Sequence, residues 1–226
     1  SGANVVDLTP SVTQLLSPSR LPDLQSSILA GEALHASAIK KWWAAGNVEI
    51  RNVYGPCECT PTSVINSTAT NLEAATQIGR GVGAITWVVD PEDHEKLLPP
   101  GCTGELLLEG PIVGRGYLKN PSKTAAQFIQ DPLWLLRGAP GKPGRRGRLY
   151  KTGDLVKYHE DGSLTYVGRK DDQVKVLGQH IELGEIEHAL RSHDSVDVAV
   201  AVVQGNNSRR GQWNGRCKRC GQRFST

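Results

Sequence analysis

The stretch 148-RLYKTGDLVKYHEDGSLTYVGRKDDQVKV-176 decides the fold that this sequence predicts. Two short alternating runs, 155–158 and 164–167, flank the Asp161-Gly162 pair. That pair suits the positive φ angles of a tight hairpin loop. A third short strand at 173–177 and a helix opening at Ile181 follow. The order strand, turn, strand, turn, strand, helix predicts a small β-rich platform.

The predicted platform concentrates polar side chains of several kinds. They are Asp154, Tyr166, Arg169, Asp171 and Lys175. A carboxylate, a ring and several cations held close by hairpins could bind a ribose, a flat base and a phosphate. An ordinary solvated hairpin surface, which also bears charge, explains the same residues equally well.

Upstream of the platform, helices and strands alternate. The pattern predicts a helix over 11–16, a strand over 27–30, a helix over 36–45 ended by Gly46, and a strand over 48–54. Such alternation favours a parallel α/β sheet, in which ligands gather at the carboxyl ends of strands. Residues 54–58 lie at such an end.

From about residue 78 the sequence changes to short strands and turns, which predict a distorted β-barrel or antiparallel sheet. One helix interrupts them, with Asn120 as its cap and Pro121 in its first turn. A glycine- and arginine-rich stretch, 138–148, is predicted to be a mobile loop.

A small α+β domain is predicted after the platform, with a helix over 182–191 and an apolar strand over 196–203. The last residues contain many arginines and no core pattern. The expected parts are 1–74, the end of an α/β subdomain; 75–170, a β-rich, barrel-like subdomain; 171–205, the start of the small domain; and 206–226, an aberrant or disordered tail.

Composition excludes several classes of protein. With 26 Lys and Arg against 23 Asp and Glu, the net charge of +3 does not indicate a nucleic-acid binder. No apolar run approaches the 18 residues of a membrane span, and a secretory leader is not expected. Five cysteines, an odd number, favour a reducing cytoplasm over a disulfide framework. Because methionine is absent even at position 1, the sequence is expected to start inside a longer protein.

Five motifs resemble those of adenylate-forming, AMP-binding enzymes, in family order. They are 52-NVYGPCE-58, 104-GELLLEG-110 with 114-GRGYL-118, 150-YKTGDL-155, 168-GRKDDQVK-175 and 181-IELGEIE-187. The sequence is most similar to nonribosomal peptide synthetase adenylation domains, and the resemblance runs from about residue 5 to about residue 205. It implies the C-terminal portion of the large domain, an α/β sheet segment followed by a distorted β-barrel, plus the start of the small domain.

The resemblance implies an ATP/AMP site. Tyr54 resembles the ring that stacks on adenine, and Asn52 the amide that contacts its exocyclic amine. Asp154 resembles the carboxylate that binds the ribose 2′- and 3′-hydroxyls. Tyr166 resembles a second ring beside the nucleotide, and Arg169 a guanidinium that reaches ribose or phosphate.

The remaining implied roles concern metal, catalysis and movement. Glu58 resembles the catalytic Mg²⁺ ligand, a role that suits a hard carboxylate. Lys175 is the second catalytic candidate, although an alternating strand lysine is an equal alternative. Cys57 departs from the usual small hydroxyl residue, and since a thiol is a weak donor, its contact with the α-phosphate is in doubt. Asp171 matches the hinge, after which Gly178 would approach a phosphopantetheine arm.

Six positions resemble those lining the amino-acid pocket. They are Asp7, Ile28, Ala30, Val53, Pro61 and Thr62. Ile28, Ala30 and Val53 are equally good core residues. Asp7 would favour a polar or cationic substrate side chain.

The function that the resemblance implies is activation of an amino acid by ATP to aminoacyl-AMP, followed by transfer to a phosphopantetheine carrier thiol. The implied partners are peptidyl carrier and condensation domains. The family's phosphate loop and final lysine have no counterpart here, so the isolated chain is expected to form little or no adenylate.

Three alternatives remain open from the sequence. The first is an acyl- or aryl-CoA ligase, which the 52–58 and 182–187 motifs disfavour. The second is a non-catalytic remnant that binds nucleotide. The third is a tail module for zinc, suggested by Cys217 and Cys220, or for nucleic acid, suggested by nearby arginines. A structural zinc site needs four ligands, and no second pair lies nearby.

Overall fold

The computed structural model divides the chain into two compact units, Ser1–Lys170 and Asp171–Thr226. The residues that the structure describes are 2–171, 173–176, 179–182, 186, 189–190, 192–193, 196–202, 212–217 and 223–225. The finer boundaries expected near residues 74 and 205 stay predictions. No helix among the described residues is both long and apolar enough to cross a membrane.

The first unit contains twelve strands and four helices among its described residues. The strands are β1 (Val5–Leu8), β2 (Ser26–Leu29), β3 (Glu49–Tyr54), β4 (Val64–Asn66), β5 (Arg80–Gly81), β6 (Ile85–Val89), β7 (Thr103–Glu109), β8 (Phe128–Gln130), β9 (Gly138–Ala139), β10 (Lys142–Pro143), β11 (Arg148–Tyr158) and β12 (Leu164–Arg169). The helices are α1 (Pro10–Leu15), α2 (Ala36–Ala45), α3 (Pro121–Gln127) and α4 (Leu133–Arg137). Short 3-10 turns lie at Pro18–Arg20, Cys57–Cys59 and Ala74–Thr76.

The first sheet has the order β1-β2-β3-β4-β5. Strands β1, β2 and β3 are parallel, as the alternation of helices and strands predicts, whereas β4 and β5 run antiparallel. One sheet face packs on the helices through a buried cluster that includes Leu29, Ile39 and Trp42. Helix α2 ends at Gly46, whose φ of 69° is left-handed, so the predicted stop is confirmed.

The second sheet is antiparallel, with the order β12-β11-β7-β6 and with β8 also paired to β11. Strands β11 and β12 form the predicted hairpin, and Gly162 in its loop has a φ of 81°. A buried cluster including Leu106, Leu108 and Tyr150 of this sheet also contains Tyr54 and Val64 of the first sheet. Both sheets therefore share one core, and the candidate site lies where they meet.

The stretch predicted as a mobile loop, 138–148, contains a short hairpin of β9 and β10. Arg145 donates two hydrogen bonds to the carboxylate of Glu109, whose side chain is buried. Trp87 donates a third, of 2.8 Å, to the same carboxylate. The loop prediction did not include this hairpin, because glycine and arginine content does not show which buried acid an arginine contacts, and the mobility of the stretch stays a prediction.

The second unit contains strands β13 (Gln173–Val176), β14 (Gln179–Glu182), β15 (Val196–Val202), β16 (Gln212–Cys217) and β17 (Arg223–Ser225). Strands β13 and β14 pair antiparallel, so residues 181–182 are strand and not the predicted start of a helix. Residues 186, 189 and 190 are helical. The predicted apolar strand is confirmed as β15.

The tail was predicted to lack regular structure, yet β16 pairs with β15 and with β17. Backbone hydrogen bonds to an existing strand can order a segment that has no apolar alternation of its own. A search for the spacing of apolar residues does not detect stabilisation by backbone hydrogen bonds. The strands therefore contradict disorder for 212–217 and 223–225, whereas an aberrant tail stays a prediction.

Candidate functional site

Tyr54 lies at the carboxyl end of β3, where the parallel sheet meets the antiparallel one. Its side chain is buried, and its hydroxyl donates a 2.5 Å hydrogen bond to Oδ2 of Asp154, one hundred positions later in the chain. Burial and the neighbouring carboxylate raise the pKa of the Tyr54 phenol well above its usual value. The hydroxyl therefore stays a donor throughout the physiological pH range.

Asp154 lies at an irregular point of β11, where its pairing with both neighbouring strands shifts register. Gly153 has a left-handed φ of 69°, and the Thr152 hydroxyl accepts from the Asp154 N–H at 3.0 Å. Thr152 in turn donates to the Leu106 carbonyl at 2.8 Å. These local contacts turn the Asp154 carboxylate toward Tyr54 and keep it only 4% exposed.

Arg169 lies directly opposite Asp154 on β12. Its Nη1 donates to Oδ1 of Asp154 at 3.2 Å and to the Thr152 carbonyl at 2.7 Å. Each oxygen of the carboxylate thus meets at least one donor from the described residues. Because each oxygen has two lone-pair sites, the group retains the capacity to accept further hydrogen bonds.

The rings of Tyr54 and Tyr166 lie 6.5 Å apart between centroids, inclined at 37°. Tyr166 is only partly buried. The structure therefore brings four of the predicted nucleotide residues together: two rings, one carboxylate and one guanidinium. These are Tyr54, Asp154, Tyr166 and Arg169.

Glu58 lies in the 3-10 turn that follows β3, and Tyr117 donates a 2.7 Å hydrogen bond to its Oε1. The hydroxyl of Tyr150 lies 3.3 Å from that of Tyr117. Burial raises the pKa of Tyr117 to about 12 and raises that of Tyr150 further. Both phenols therefore remain neutral, and they orient the carboxylate without adding charge.

Two cysteines flank Glu58 and differ in exposure. Cys57 is exposed, whereas Cys59 is fully buried, and both are free thiols. Burial, helped by the charge of Glu58, raises the pKa of the Cys59 thiol to about 12. Only Cys57 is therefore available to a ligand, and its phosphate contact stays a prediction.

Asn52 is 3% exposed, and its amide nitrogen donates to the carbonyls of Thr76 at 3.0 Å and Gln77 at 2.9 Å. In this arrangement the amide holds the 74–77 turn against β3. An exocyclic amine is a donor, so a contact with adenine would fall to the amide oxygen. That role stays a prediction.

The predicted amino-acid pocket is spread over two places. Asp7 and Ile28 are paired across β1 and β2, and by strand alternation Val53 points to the same side of the sheet. Ala30 follows β2, and its N–H donates to the Leu8 carbonyl at 3.2 Å. The other two, Pro61 and Thr62, are exposed in the loop before β4. Their assignment to one pocket stays a prediction.

Two further predicted positions lie in the second unit. Asp171 is its first residue and is exposed. Lys175 belongs to β13, but its side chain lies outside what the structure describes, as does Gly178. Of the predicted zinc pair, Cys217 ends β16 and Cys220 falls outside the described residues.

Among the described residues, no group of three or more His, Cys, Asp or Glu side chains could hold a metal ion. Mg²⁺ commonly binds through one or two carboxylates together with water and substrate phosphate. Glu58 is half-buried and oriented by Tyr117, so a single oriented carboxylate at this position fits such a metal.

An open groove of about 1000 Å³ lies elsewhere, between the 115–119 loop and α3. Tyr117 and Arg148 line it, but none of the predicted site residues does. Its size does not make it the site, because the convergent polar groups lie around Asp154.

Several residues of this region were missed from the sequence. Tyr117 and Tyr150 orient Glu58, and Thr152 supports Asp154. Tyr117 and Tyr150 each lie within one of the five motifs, so motif membership was the signal that could have identified them.

Comparisons with known proteins agree with this geometry. The family model described as AMP-binding enzyme matches residues 2–118. Peramine synthetase A of Epichloe festucae is 62% identical over 199 residues, covering 88% of this chain and 7% of that protein. Nonribosomal peptide synthetase sidD of Aspergillus fumigatus is 51% identical over 209 residues, covering 90% of this chain and 10% of that protein. The chain thus spans about a tenth or less of the length of these relatives.

Solved structures give the same result. PA1221, a nonribosomal peptide synthetase protein with adenylation and carrier domains, superposes with a TM-score of 0.82 at 25% identity, covering 98% of this chain and 38% of that one. The Vibrio cholerae adenylation domain AlmE, solved with glycyl-adenosine-5′-phosphate, has a TM-score of 0.73 at 29% identity, covering 92% and 39%. The chain belongs to the AMP-binding enzyme family, and within that family it is part of a nonribosomal peptide synthetase adenylation domain.

Proposed function

We propose that this chain supplies the nucleotide-binding part of an adenylation domain that activates an amino acid with ATP. The observation behind the proposal is the convergence of two rings, a carboxylate and a guanidinium from separate strand ends. These groups are Tyr54, Tyr166, Asp154 and Arg169. The glycyl-adenosine-5′-phosphate bound to AlmE is a product of the proposed kind, and it supports the assignment by similarity.

In the proposed reaction, a carboxylate oxygen of the amino acid attacks the α-phosphorus of ATP, and the bond to pyrophosphate breaks. A phosphopantetheine thiolate on a carrier domain then attacks the acyl carbonyl, and AMP leaves. Both steps need the nucleotide held in one orientation. The adenylation and carrier domains joined in PA1221 support the second step by similarity.

Each residue of the site has a proposed task. The Asp154 carboxylate accepts from the two ribose hydroxyls, and Arg169 keeps it oriented. Tyr54 and Tyr166 present faces to adenine, which stacks well on aromatic rings. Glu58, oriented by Tyr117, would hold Mg²⁺, which neutralises phosphate charge when it is bound.

The main rival is a CoA ligase. The fold does not separate the two, because a CoA synthetase from Bacillus subtilis also superposes with a TM-score of 0.75, at 18% identity. Sequence separates them better, because peramine synthetase A is 62% identical over 199 residues. We therefore favour an amino acid as substrate and a carrier thiol as acceptor.

Calorimetric titration of the purified chain with AMP tests the proposal. We expect binding by the parent chain, about tenfold weaker binding of 2′-deoxy-AMP, and loss of AMP binding in Asp154→Asn, since both changes remove hydrogen bonds to the ribose. Asp23→Asn, on an exposed side chain, is the matched control. Equal affinity for AMP and 2′-deoxy-AMP would contradict the ribose assignment.

Amino-acid-dependent exchange between ATP and pyrophosphate tests the catalytic part. We expect the isolated chain to give little or no exchange, because no phosphate loop or final lysine is recognisable in it. Measurable exchange by the purified chain would contradict that expectation. AMP binding without exchange is also the result that fits a nucleotide-binding remnant.

A further inference from the structure

Lys170 is the last residue of the first unit, and its ammonium group lies against three acceptors. Nζ donates to the carbonyl of Pro91 and lies 3.6 Å from Oε2 of Glu105 and 3.8 Å from Oε1 of Glu92. The Glu92 side chain is 87% exposed, whereas that of Glu105 is 3% exposed. Since a buried carboxylate is costly without a partner, the pair with Glu105 is the one that matters.

The other oxygen of Glu105 ties the same region together. Oε1 accepts from the N–H of Gly153 at 3.2 Å, and the Gly153 carbonyl accepts from the N–H of Lys170 at 2.8 Å. Residues 153 and 170 are thus joined by one backbone bond and by a bridge through Glu105. The turn at residue 153 cannot relax independently of residue 170.

These two residues adjoin the candidate ribose-binding pair, because Asp154 follows Gly153 and Arg169 precedes Lys170. The turn at Gly153 packs closely against the Arg169 guanidinium, because a Cβ added to Gly153 would lie 2.7 Å from Nη2 of Arg169. Lys170 adjoins Arg169 in the chain and bonds to the Gly153 carbonyl, so we expect a displacement of Lys170 to act on the guanidinium that holds Asp154.

We propose that Lys170 and Glu105 form a clasp that positions the Asp154–Arg169 pair. Lys170 is a positioning residue, with no contact to nucleotide. The effect on binding rests on the proposed nucleotide function, whereas the effect on rigidity does not.

The test compares Lys170→Met, which removes the charge, with Lys170→Arg, which keeps it. Lys157→Met, on an exposed strand lysine, is the matched control. Amide hydrogen exchange at residues 153 and 170 is the first measurement, and the dissociation constant for AMP is the second. We expect about tenfold faster exchange and three- to thirtyfold weaker AMP binding in Lys170→Met, with both near parent values in the other two variants.

The outcomes separate the two proposals. Unchanged exchange in Lys170→Met overturns the clasp, and so does an equal effect of Lys157→Met. If the parent chain does not bind AMP, the proposed function fails, and the exchange measurement alone decides the clasp. Should Lys170→Met fail to fold, the double variant Lys170→Met/Glu105→Gln, which leaves no buried charge unpaired, regains the fold only if the clasp is real.

Discussion

The hydrogen bond between Tyr54 and Asp154 gives the sharpest prediction. Tyr54→Phe keeps the ring and its packing and removes only the hydroxyl that donates at 2.5 Å. Hydrogen bonds to charged groups contribute about 1.5–3 kcal/mol. Both partners are buried, at 9% and 4% exposure, so water replaces the lost donor poorly. We therefore expect the free energy of unfolding to fall by about 2–3 kcal/mol.

A double-mutant cycle with Asp154→Asn isolates the pair. Asp154→Asn removes the charge, while Arg169 keeps its bond to the Thr152 carbonyl at 2.7 Å. We expect a coupling energy of about 1–2 kcal/mol between the two substitutions. Urea unfolding followed by tryptophan fluorescence measures it, because Trp42 and Trp87 both lie in the first unit.

Tyr158→Phe is the matched control, since the hydroxyl of Tyr158 lies 3.2 Å from that of Thr86, an uncharged partner. Its cost should be about 0.5–1.5 kcal/mol, below that of Tyr54→Phe. Additivity of Tyr54→Phe and Asp154→Asn within about 0.5 kcal/mol would refute the reasoning, because residues that share a buried charged bond must couple.

Three further predictions follow from burial and backbone geometry. Because the pKa of Tyr54 is raised in the folded state, the unfolded state loses this phenolic proton first. Tyr54 should therefore contribute a loss of stability above about pH 10 of about 1.4 kcal/mol per pH unit, beside the losses due to Tyr117, Tyr150 and Cys59, and Tyr54→Phe should remove that contribution in urea titrations. Maleimide labelling mapped by mass spectrometry at about pH 8 should modify Cys57 and spare Cys59, whose pKa of about 12 leaves almost no thiolate. Gly79→Ala should prevent folding, since its Cβ would clash with the Ile65 carbonyl oxygen. Gly141→Ala, also at positive φ but in open space, should cost about 1 kcal/mol by thermal melting.

Each of these three predictions can be contradicted by one experimental outcome. A loss of stability above about pH 10 that is the same in Tyr54→Phe as in the parent chain would mean that the Tyr54 phenol ionises as freely in the folded chain as in the unfolded one. Equal labelling of Cys57 and Cys59 would mean that the 57–59 turn opens readily. A Gly79→Ala variant as stable as Gly141→Ala would mean that the strands around residue 79 adjust without cost.

Local chemistry explains why much of the fold was predictable. Gly46 ends α2 because it adopts a left-handed φ, and Asn120 caps α3 by accepting from the Lys123 N–H at 3.0 Å. The hairpin of β11 and β12 follows from alternation around Asp161-Gly162. In each case the signal lies within a few residues of the structure that it specifies.

Most of the errors arose where residues far away in the sequence determine the local structure. In the 138–148 stretch, Arg145 contacts Glu109, which lies on another strand. Strand β16 likewise forms beside β15, a pairing that no local pattern reports. Strand β14 is a different case, because it pairs with the neighbouring β13 and was missed when residues 181–182 were assigned to the following helix.

The candidate site was predictable in part for the same reason. Residue types and motifs indicated Tyr54 and Asp154, and the resemblance placed both at one nucleotide. The support that holds Asp154 in place was not predictable, because Thr152 and Glu105 act through bonds to Leu106 and Gly153 that depend on the sheet's register.

The hydrogen bond from Tyr54 to Asp154 spans one hundred positions of sequence. When the ribosome has released only the first sheet, Tyr54 has no acceptor for its hydroxyl. The Tyr54 ring and the other first-sheet residues of the shared core are then still exposed to solvent. Such contacts form late and slow the folding of the chain, because a long loop must close first. During that interval the nascent first half exposes apolar surface to other chains. Chaperone binding during synthesis should therefore be greatest before β11 emerges.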